Sequence, residues 1–268
     1  MTPITLFATV GFGACIGSFL NVVIYRLPLG RSIVYPGSHC AACGRALKWY
    51  WNIPVFSWLF LRGQAACCGA RIDMRYPMVE ALTALLTVVV WHSFPPAQAL
   101  VYLIFIYALV VGTFIDLDYF IIPDSVSLGG CFFGLAASLW VWELHGAESL
   151  LESFQASALG MAAGGLGLWL VAVLGAWLFK KDAMGLGDVK LLAAIGALCG
   201  WKGVVFTIAS ASMLGSIIGL VVIMGRAKKS GVPIPFGPFL AGGCLLYILR
   251  GHQWFADYLA SMGFGSSY

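Results

Sequence analysis

Apolar runs of about 20 residues, the length a helix needs to cross a bilayer, recur along this chain between short polar breaks and one long polar stretch near the N-terminus. Eight such segments are predicted, over residues 3–24, 77–94, 97–116, 125–143, 154–179, 188–200, 203–225 and 234–250. The sixth is short for a crossing, so it either begins inside the protein or continues through the turn Gly200-Trp201-Lys202-Gly203. Trp and Tyr stand near several segment ends (Tyr50, Trp51, Tyr76, Trp91, Trp142, Trp201, Tyr247), as in an interfacial aromatic belt. The pattern predicts an all-α polytopic membrane protein with a loop domain between its first two helices. Its parts are a first transmembrane helix over 1–24, the loop domain over 25–76 and a transmembrane domain over 77–268.

Composition agrees. The 268 residues are 61% hydrophobic and 10% charged, with mean hydropathy +0.93, against about 45–50% and about 25% in soluble domains. Charge then orients the segments. Seven basic residues (Arg26, Arg31, Arg45, Lys48, Arg62, Arg71, Arg75) lie between segments one and two, and three (Lys180, Lys181, Lys190) between five and six. Three more (Arg226, Lys228, Lys229) lie between seven and eight, while the opposite ends hold only Lys202 and Arg250. Basic loops stay in the cytoplasm, so the loop domain should be cytoplasmic and both termini outside. The net charge of +4 is thus a topology signal, with lipid rather than nucleic acid as the expected surroundings. Met1 to Gly13 carries no basic residue, unlike a cleaved secretory signal, so the first segment reads as a permanent anchor.

Only 11 residues are acidic, and three of them fall in FIDLDYFIIPD, residues 114–124. Asp116 belongs near the cytoplasmic end of the third segment. Pro123 blocks helix continuation and permits a new start, with Asp124 and Ser125 as expected N-caps. The motif MGLGDVK, residues 184–190, puts Asp188 in the first turn of the sixth segment. Topology alone therefore brings two carboxylates, 72 positions apart, to one depth and one side. A charge inside a membrane helix is costly and faces a protein interior or a wet cavity. At a helix start it is stabilised by the unpaired amides and the dipole. Gly185 and Gly187 leave room for a second backbone to approach. Lys190 either steadies the pair, binds lipid phosphate or snorkels to the interface. The plainer reading of each aspartate alone is a cap and an interfacial charge.

Two close carboxylates cannot both ionise readily. The ionised one can take a proton from water while the neutral one donates to a carbonyl oxygen, which is peptide hydrolysis without a covalent intermediate. No HExxH pattern or serine nucleophile elbow is present, and the four His residues (His39, His92, His145, His252) are scattered. A proton- or ion-coupled transporter using the same aspartates, or a non-catalytic membrane scaffold, are the alternatives from other classes.

Several motifs in order carry a resemblance: GSFLNVVIYRLP (17–28), a paired-cysteine loop, NIPVFSWLFLRG (52–63), RYPMVE (75–80), DLDYFIIPD (116–124), MGLGDVK (184–190) and IPFGPFLAGG (234–243). In these the chain resembles the bacterial prepilin peptidases, the type IV leader peptidases of pilus assembly and type II secretion. The resemblance implies an intramembrane GxGD aspartyl protease of the inner membrane that removes a short basic leader from prepilin or pseudopilin precursors, with Asp116 and Asp188 catalytic. It also implies N-methylation of the new terminus with S-adenosylmethionine. Asn21, Arg26 and Glu80 are the candidates for that second activity. The plainer reading is an interhelical hydrogen bond for Asn21 and an arginine partner for Glu80.

In the loop, many relatives have two C-x2-C pairs, a spacing that suits structural zinc. Here Cys40 and Cys43 form the first pair, but the second reads GQAACCG: Ala65 holds the third position, Cys68 the fourth, and Cys67 is an extra neighbour. A disulfide is disfavoured in a cytoplasmic loop. Zinc held by Cys40, Cys43, Cys68 and either Cys67 or His39, or a site decayed to free thiols, are the open states. Cys15, Cys131, Cys199 and Cys244 are expected as small core residues.

Overall fold

The structure is a computed structural model and describes residues 2–180, 185–225 and 234–261. Lys181, Arg226, Lys228 and Lys229, used above for orientation, lie outside the described residues, as does Met184. The described residues are helical and contain no strand, only two isolated bridges in the loop. The helices are α1 (Pro3–Arg26), α2 (Phe56–Phe60), α3 (Arg75–Ser93), α4 (Pro96–Tyr119), α5 (Asp124–Trp140), α6 (Leu150–Phe179), α7 (Leu186–Gly225), α8 (Gly237–Leu246) and α9 (His252–Ser261). Four helical stretches among them are long and apolar enough to cross a membrane: Pro3–Leu29, Pro96–Tyr119, Leu150–Leu178 and Leu186–Val222.

The sixth and seventh predicted segments both lie within α7, as two helices that meet at a kink at Gly200, next to the predicted break. Gly200 has φ 68° and ψ −178°, a conformation that residues with a Cβ avoid, so the helix is interrupted there, and an added Cβ on Gly196 would lie 2.9 Å from the Val204 Cγ2 across the kink. The fourth segment is shorter than predicted, since α5 stops at Trp140 and Val141 leaves the helical conformation at φ −130° and ψ 82°. The last is α8 followed by a single π turn, Tyr247–Gly251, leading into α9.

Two compact units divide the chain at residues 111 and 112. In the first, α1 packs along α3 through small residues, as membrane helices do. A Cβ on Gly17 would sit 2.7 Å from the Glu80 Cα, and one on Gly13 2.8 Å from the Ala84 Cα. Thr83 and Thr87 satisfy their hydroxyls on the carbonyls of Val79 and Thr83, and Thr87 also bonds Tyr107 at 2.8 Å. In the second unit, α6 and α7 meet backbone to backbone at Gly160 and Gly196, where a side chain on either would overlap the other's carbonyl. Ser157 adds a buried 2.6 Å hydrogen bond to the Ala197 carbonyl. The outward faces remain apolar. Leu159, Leu166, Leu170, Leu174, Trp177 and Leu178 of α6 are all exposed. Contiguous apolar surface of this kind is rare on a soluble monomer and suits lipid. Cys131 and Cys244 are buried as expected, whereas Cys15 is exposed and not a core residue.

Candidate active site

Asp116 lies in the last turn of α4 and is buried, 5% exposed. Phe120 takes a left-handed φ of 55° and stops the helix beside it. Pro123 then precedes the first residue of α5. Asp188 lies in the first turn of α7, half-buried, with its backbone N–H on the Gly185 carbonyl at 3.2 Å. The two carboxylates lie within reach of each other's charge. Both belong to the second unit, one at a helix end and the other at a helix start.

A third place in the sequence closes on Asp116. The Gly237 N–H at the start of α8 donates to the Asp116 Oδ2 at 3.1 Å. A Cβ on Gly237 would lie 2.6 Å from that oxygen and 3.1 Å from the Ile122 Cδ1. The other side of Ile122 faces Gly187, where an added Cβ would lie 3.3 Å from the Ile122 Cβ. Ile122 thus sits between the glycine that contacts Asp116 and the glycine that precedes Asp188. Gly185 is less crowded: its nearest neighbour would be the Asp188 Oδ2 at 3.8 Å. Gly237 and Ile122 had no role in the sequence reading; the only signal was the glycine in PFGPF.

Lys190 is paired outside the two aspartates. Its Nζ bonds the Asp124 Oδ1 at 2.7 Å. Asp124 is accordingly not an N-cap: Pro123 holds the cap position of α5 without a side-chain bond, and Asp124 is the first helical residue.

The first unit holds the other candidates. Asn21 Nδ2 donates to the Tyr76 carbonyl at 3.1 Å, tying α1 to α3. Arg26 donates to the Ser32 and Gly37 carbonyls at 3.0 and 3.3 Å and so braces the loop. Glu80, 8% exposed, accepts the Val55 N–H on Oε2 at 2.7 Å, a backbone partner in place of the expected arginine. Val55 has φ 63°. A β-branched residue rarely adopts that conformation, and it costs of order 1–3 kcal/mol.

The cysteines sit on two matched turns. Cys40 and Ala65 each open a turn that closes at a left-handed glycine, Gly44 or Gly69, whose N–H returns to the Cys40 or Ala65 carbonyl. Ala65 therefore holds the place of a cysteine. The Sγ atoms of Cys40, Cys43, Cys67 and Cys68 all lie within 4.8 Å of one another. The Cys43–Cys67 separation is 3.4 Å, Cys40–Cys68 3.7 Å and Cys67–Cys68 3.9 Å. The turn bends the backbone enough for two adjacent cysteines to face one centre. His39 instead places Nδ1 on the Gly37 carbonyl at 2.9 Å. Backbone N–H groups of Cys43 and Ala42 hold the Cys40 thiol down at about 6. The Cys67 thiol is pushed up to about 12, first by its hydrogen bond with Cys43 and then by burial.

Fold and site together define an all-helical membrane protein with a paired-carboxylate centre in one unit and a four-cysteine cluster in the other. The chain belongs to the type IV leader peptidase family: residues 103–220 match that family, and residues 12–94 match the bacterial peptidase A24 N-terminal domain. It is 37% identical to a prepilin leader peptidase/N-methyltransferase of Pseudomonas aeruginosa, over 96% of this chain and 94% of the relative. It is 36% identical to the protein of the same description from Stutzerimonas stutzeri, over 92% and 91%. Another, from Aeromonas salmonicida, is 36% identical over 94% and 92%. No solved structure matches the chain.

Proposed function

We propose that this protein is a bifunctional prepilin leader peptidase and N-methyltransferase of the bacterial inner membrane. It removes the leader of prepilin or pseudopilin precursors and methylates the exposed amine. The observation that carries the reading is the convergence of Asp116 and Asp188 in a chain aligned over nearly its whole length with relatives of that description. In this reading eight segments cross the membrane, the loop over 25–76 and both aspartates face the cytoplasm, and the termini lie outside.

Hydrolysis follows from the pair. One carboxylate is ionised and takes a proton from the attacking water; the other is protonated and donates to the scissile carbonyl oxygen. Collapse of the tetrahedral species returns a proton to the leaving amine, and the pair regains its single shared proton. The Gly237 N–H fixes the orientation of Asp116 throughout. Lys190 and Asp124 hold α5 to the start of α7 beside the centre.

The second activity belongs to the first unit, with S-adenosylmethionine supplying an electrophilic methyl group when bound. Glu80 contributes a buried carboxylate, while Asn21 and Arg26 hold α3 and the loop around it. The cysteine cluster fits zinc. A tetrahedron with Zn–S near 2.3 Å has sulfurs about 3.8 Å apart, and the three separations above bracket that value. Cys67 serves as the fourth ligand in preference to His39. Four thiolates leave no open position, so the ion shapes the loop and takes no part in hydrolysis.

The test is purified protein incubated with a prepilin-like peptide and S-adenosylmethionine carrying a labelled methyl group. The peptide should be shortened and the new N-terminus should gain the label. Unshortened peptide would end the peptidase reading, and a shortened but unlabelled product would end the methyltransferase reading alone.

A further inference from the structure

The first unit contains a cavity of about 350 Å³ that hydrolysis does not use. Its walls come from both cysteine turns, from α2 and from the start of α3. It is mostly apolar, and Trp51, Trp58 and Tyr76 contribute aromatic surface. The charged residues that line it are Arg71, Asp73 and Glu80, a formal charge of −1. Tyr76 and Glu80 are four residues apart in α3, which puts them on one face, and Asp73 stands two residues before the helix starts.

These walls are fixed before any ligand arrives. Trp58 Nε1 donates to the Ile72 carbonyl at 3.1 Å. Its ring lies on Gly63, where an added Cβ would come within 3.0 Å of it and where φ is +70°. Glu80 is locked by the strained Val55 amide. Asp73 spends Oδ1 on the Arg75 N–H at 2.8 Å, and its other oxygen carries no hydrogen bond among the described residues. Strain and a buried carboxylate in the wall of a preformed cavity are what a binding site retains and a mere spacer does not need.

We propose that this cavity is the S-adenosylmethionine site. The inference rests on the methyl-transfer reading and assigns its location and residues. The ligand carries a sulfonium, an ammonium and a carboxylate, a formal charge of +1 that complements the lining. Its purine suits an indole wall, because stacking on an aromatic face needs no particular edge chemistry. The ribose diol donates two hydrogen bonds, which a carboxylate such as Asp73 can accept. The ligand's carboxylate matches the Arg71 guanidinium. Glu80, the most buried of the three charges, is the partner for a cationic centre. Phosphorylated dinucleotides would meet two carboxylates and one guanidinium, the wrong balance. The size is also in range, since small-molecule pockets hold about 300–1,000 Å³. The cysteine turns supply Cys40 and Ala65 to the wall, so an ion at the cluster would set the cavity's shape.

The experiment is calorimetric titration of the full-length purified protein with S-adenosylmethionine, without peptide so that nothing turns over. One equivalent should bind. Asp73→Asn and Glu80→Gln should each weaken binding about tenfold or more, the scale of a lost charge-assisted contact, with leader cleavage unchanged. Ultraviolet cross-linking of ligand labelled in its methyl group to the wild-type protein gives a second readout that no variant's folding can confound. The label should map to peptides containing Trp51, Trp58 or Tyr76. Wild-type binding with no change in either variant, or a label mapping to the second unit, overturns the assignment and leaves methyl transfer intact. Protein that neither binds the ligand nor methylates peptide overturns both.

Discussion

Each unit buries a carboxylate against a backbone amide, and the two cases differ in what stands next to it. Asp116 accepts the Gly237 N–H and shares its surroundings with a second carboxylate, Asp188. Glu80 accepts the Val55 N–H and faces a cavity with indole walls and a guanidinium. A pair of acids can pass one proton back and forth, which serves hydrolysis. A single acid in an aromatic pocket serves to hold a cation. The same local device, a carboxylate pinned by one N–H, thus gains its chemistry from its neighbours.

If that contrast holds, the two activities should separate cleanly under mutation. The largest effect is expected for Asp116→Asn or Asp188→Asn. Each should lower leader cleavage by about 10³-fold or more, near the upper range for loss of a proton-transfer group. Methylation of a peptide that already begins at the mature residue should persist. Peptide shortening by mass spectrometry and methyl incorporation measure the two. Wild-type cleavage by either variant would remove the dyad, and loss of both activities would show that the units do not work independently.

Metal removal attacks the other side. Replacing Cys40 and Cys43 with serine should abolish zinc binding, measured by metal analysis. It should also weaken S-adenosylmethionine binding about tenfold, since the cavity shares a wall with the cluster, while cleavage stays within about twofold. A metal-free wild-type protein with full methylation would retire the zinc. The cluster could be found in the sequence because C-x2-C is local. Its fourth member stayed open between Cys67 and His39, because adjacent cysteines face one centre only when the turn ending at Gly69 bends the chain.

The glycines around the aspartates give a graded series that sharpens the first contrast. Gly237→Ala would put a Cβ 2.6 Å from the Asp116 oxygen. It should cost about 10–100-fold in cleavage, the range expected when a reacting group is misplaced by about 1 Å. Gly187→Ala meets Ile122 at 3.3 Å, so a loss of a few fold is expected from a contact that must give slightly. Gly185→Ala has no neighbour nearer than 3.8 Å and should cleave within about twofold of wild type. Steady-state kinetics on one peptide rank the three. A Gly185→Ala defect larger than that of Gly237→Ala would break the steric argument.

That series also marks where the sequence stops being readable. Apolar length alone located α1, α4 and α6 to within a few residues. It also brought Asp116 and Asp188 together, because consecutive crossings must alternate sides. The break within α7 was legible in Gly200-Trp201-Lys202-Gly203, and Gly200 at φ 68° is where the helix is interrupted. Gly237 was hidden because its contact with Asp116 spans 121 positions. Val55 gave no signal, since a β-branched residue gives no hint of a positive φ. Contacts made across the fold leave no periodic trace.

The smallest expected effect concerns Lys190 and Asp124, which separates support of the pair from participation in it. Their side chains are 37% and 64% exposed, and exposed ion pairs contribute about 0–1 kcal/mol. Lys190→Met and Asp124→Asn should therefore each reduce cleavage by at most about fivefold, the rate equivalent of that energy. The double variant should be no worse than either single one, because both remove one shared contact. The pH profile of cleavage should not move, since the ammonium is committed to Asp124 rather than to the dyad. Moderate salt should shrink the wild-type advantage, as screening does for exposed charges. A Lys190→Met defect far exceeding that of Asp124→Asn, together with a shifted pH profile, would mean that the lysine acts on the aspartates directly.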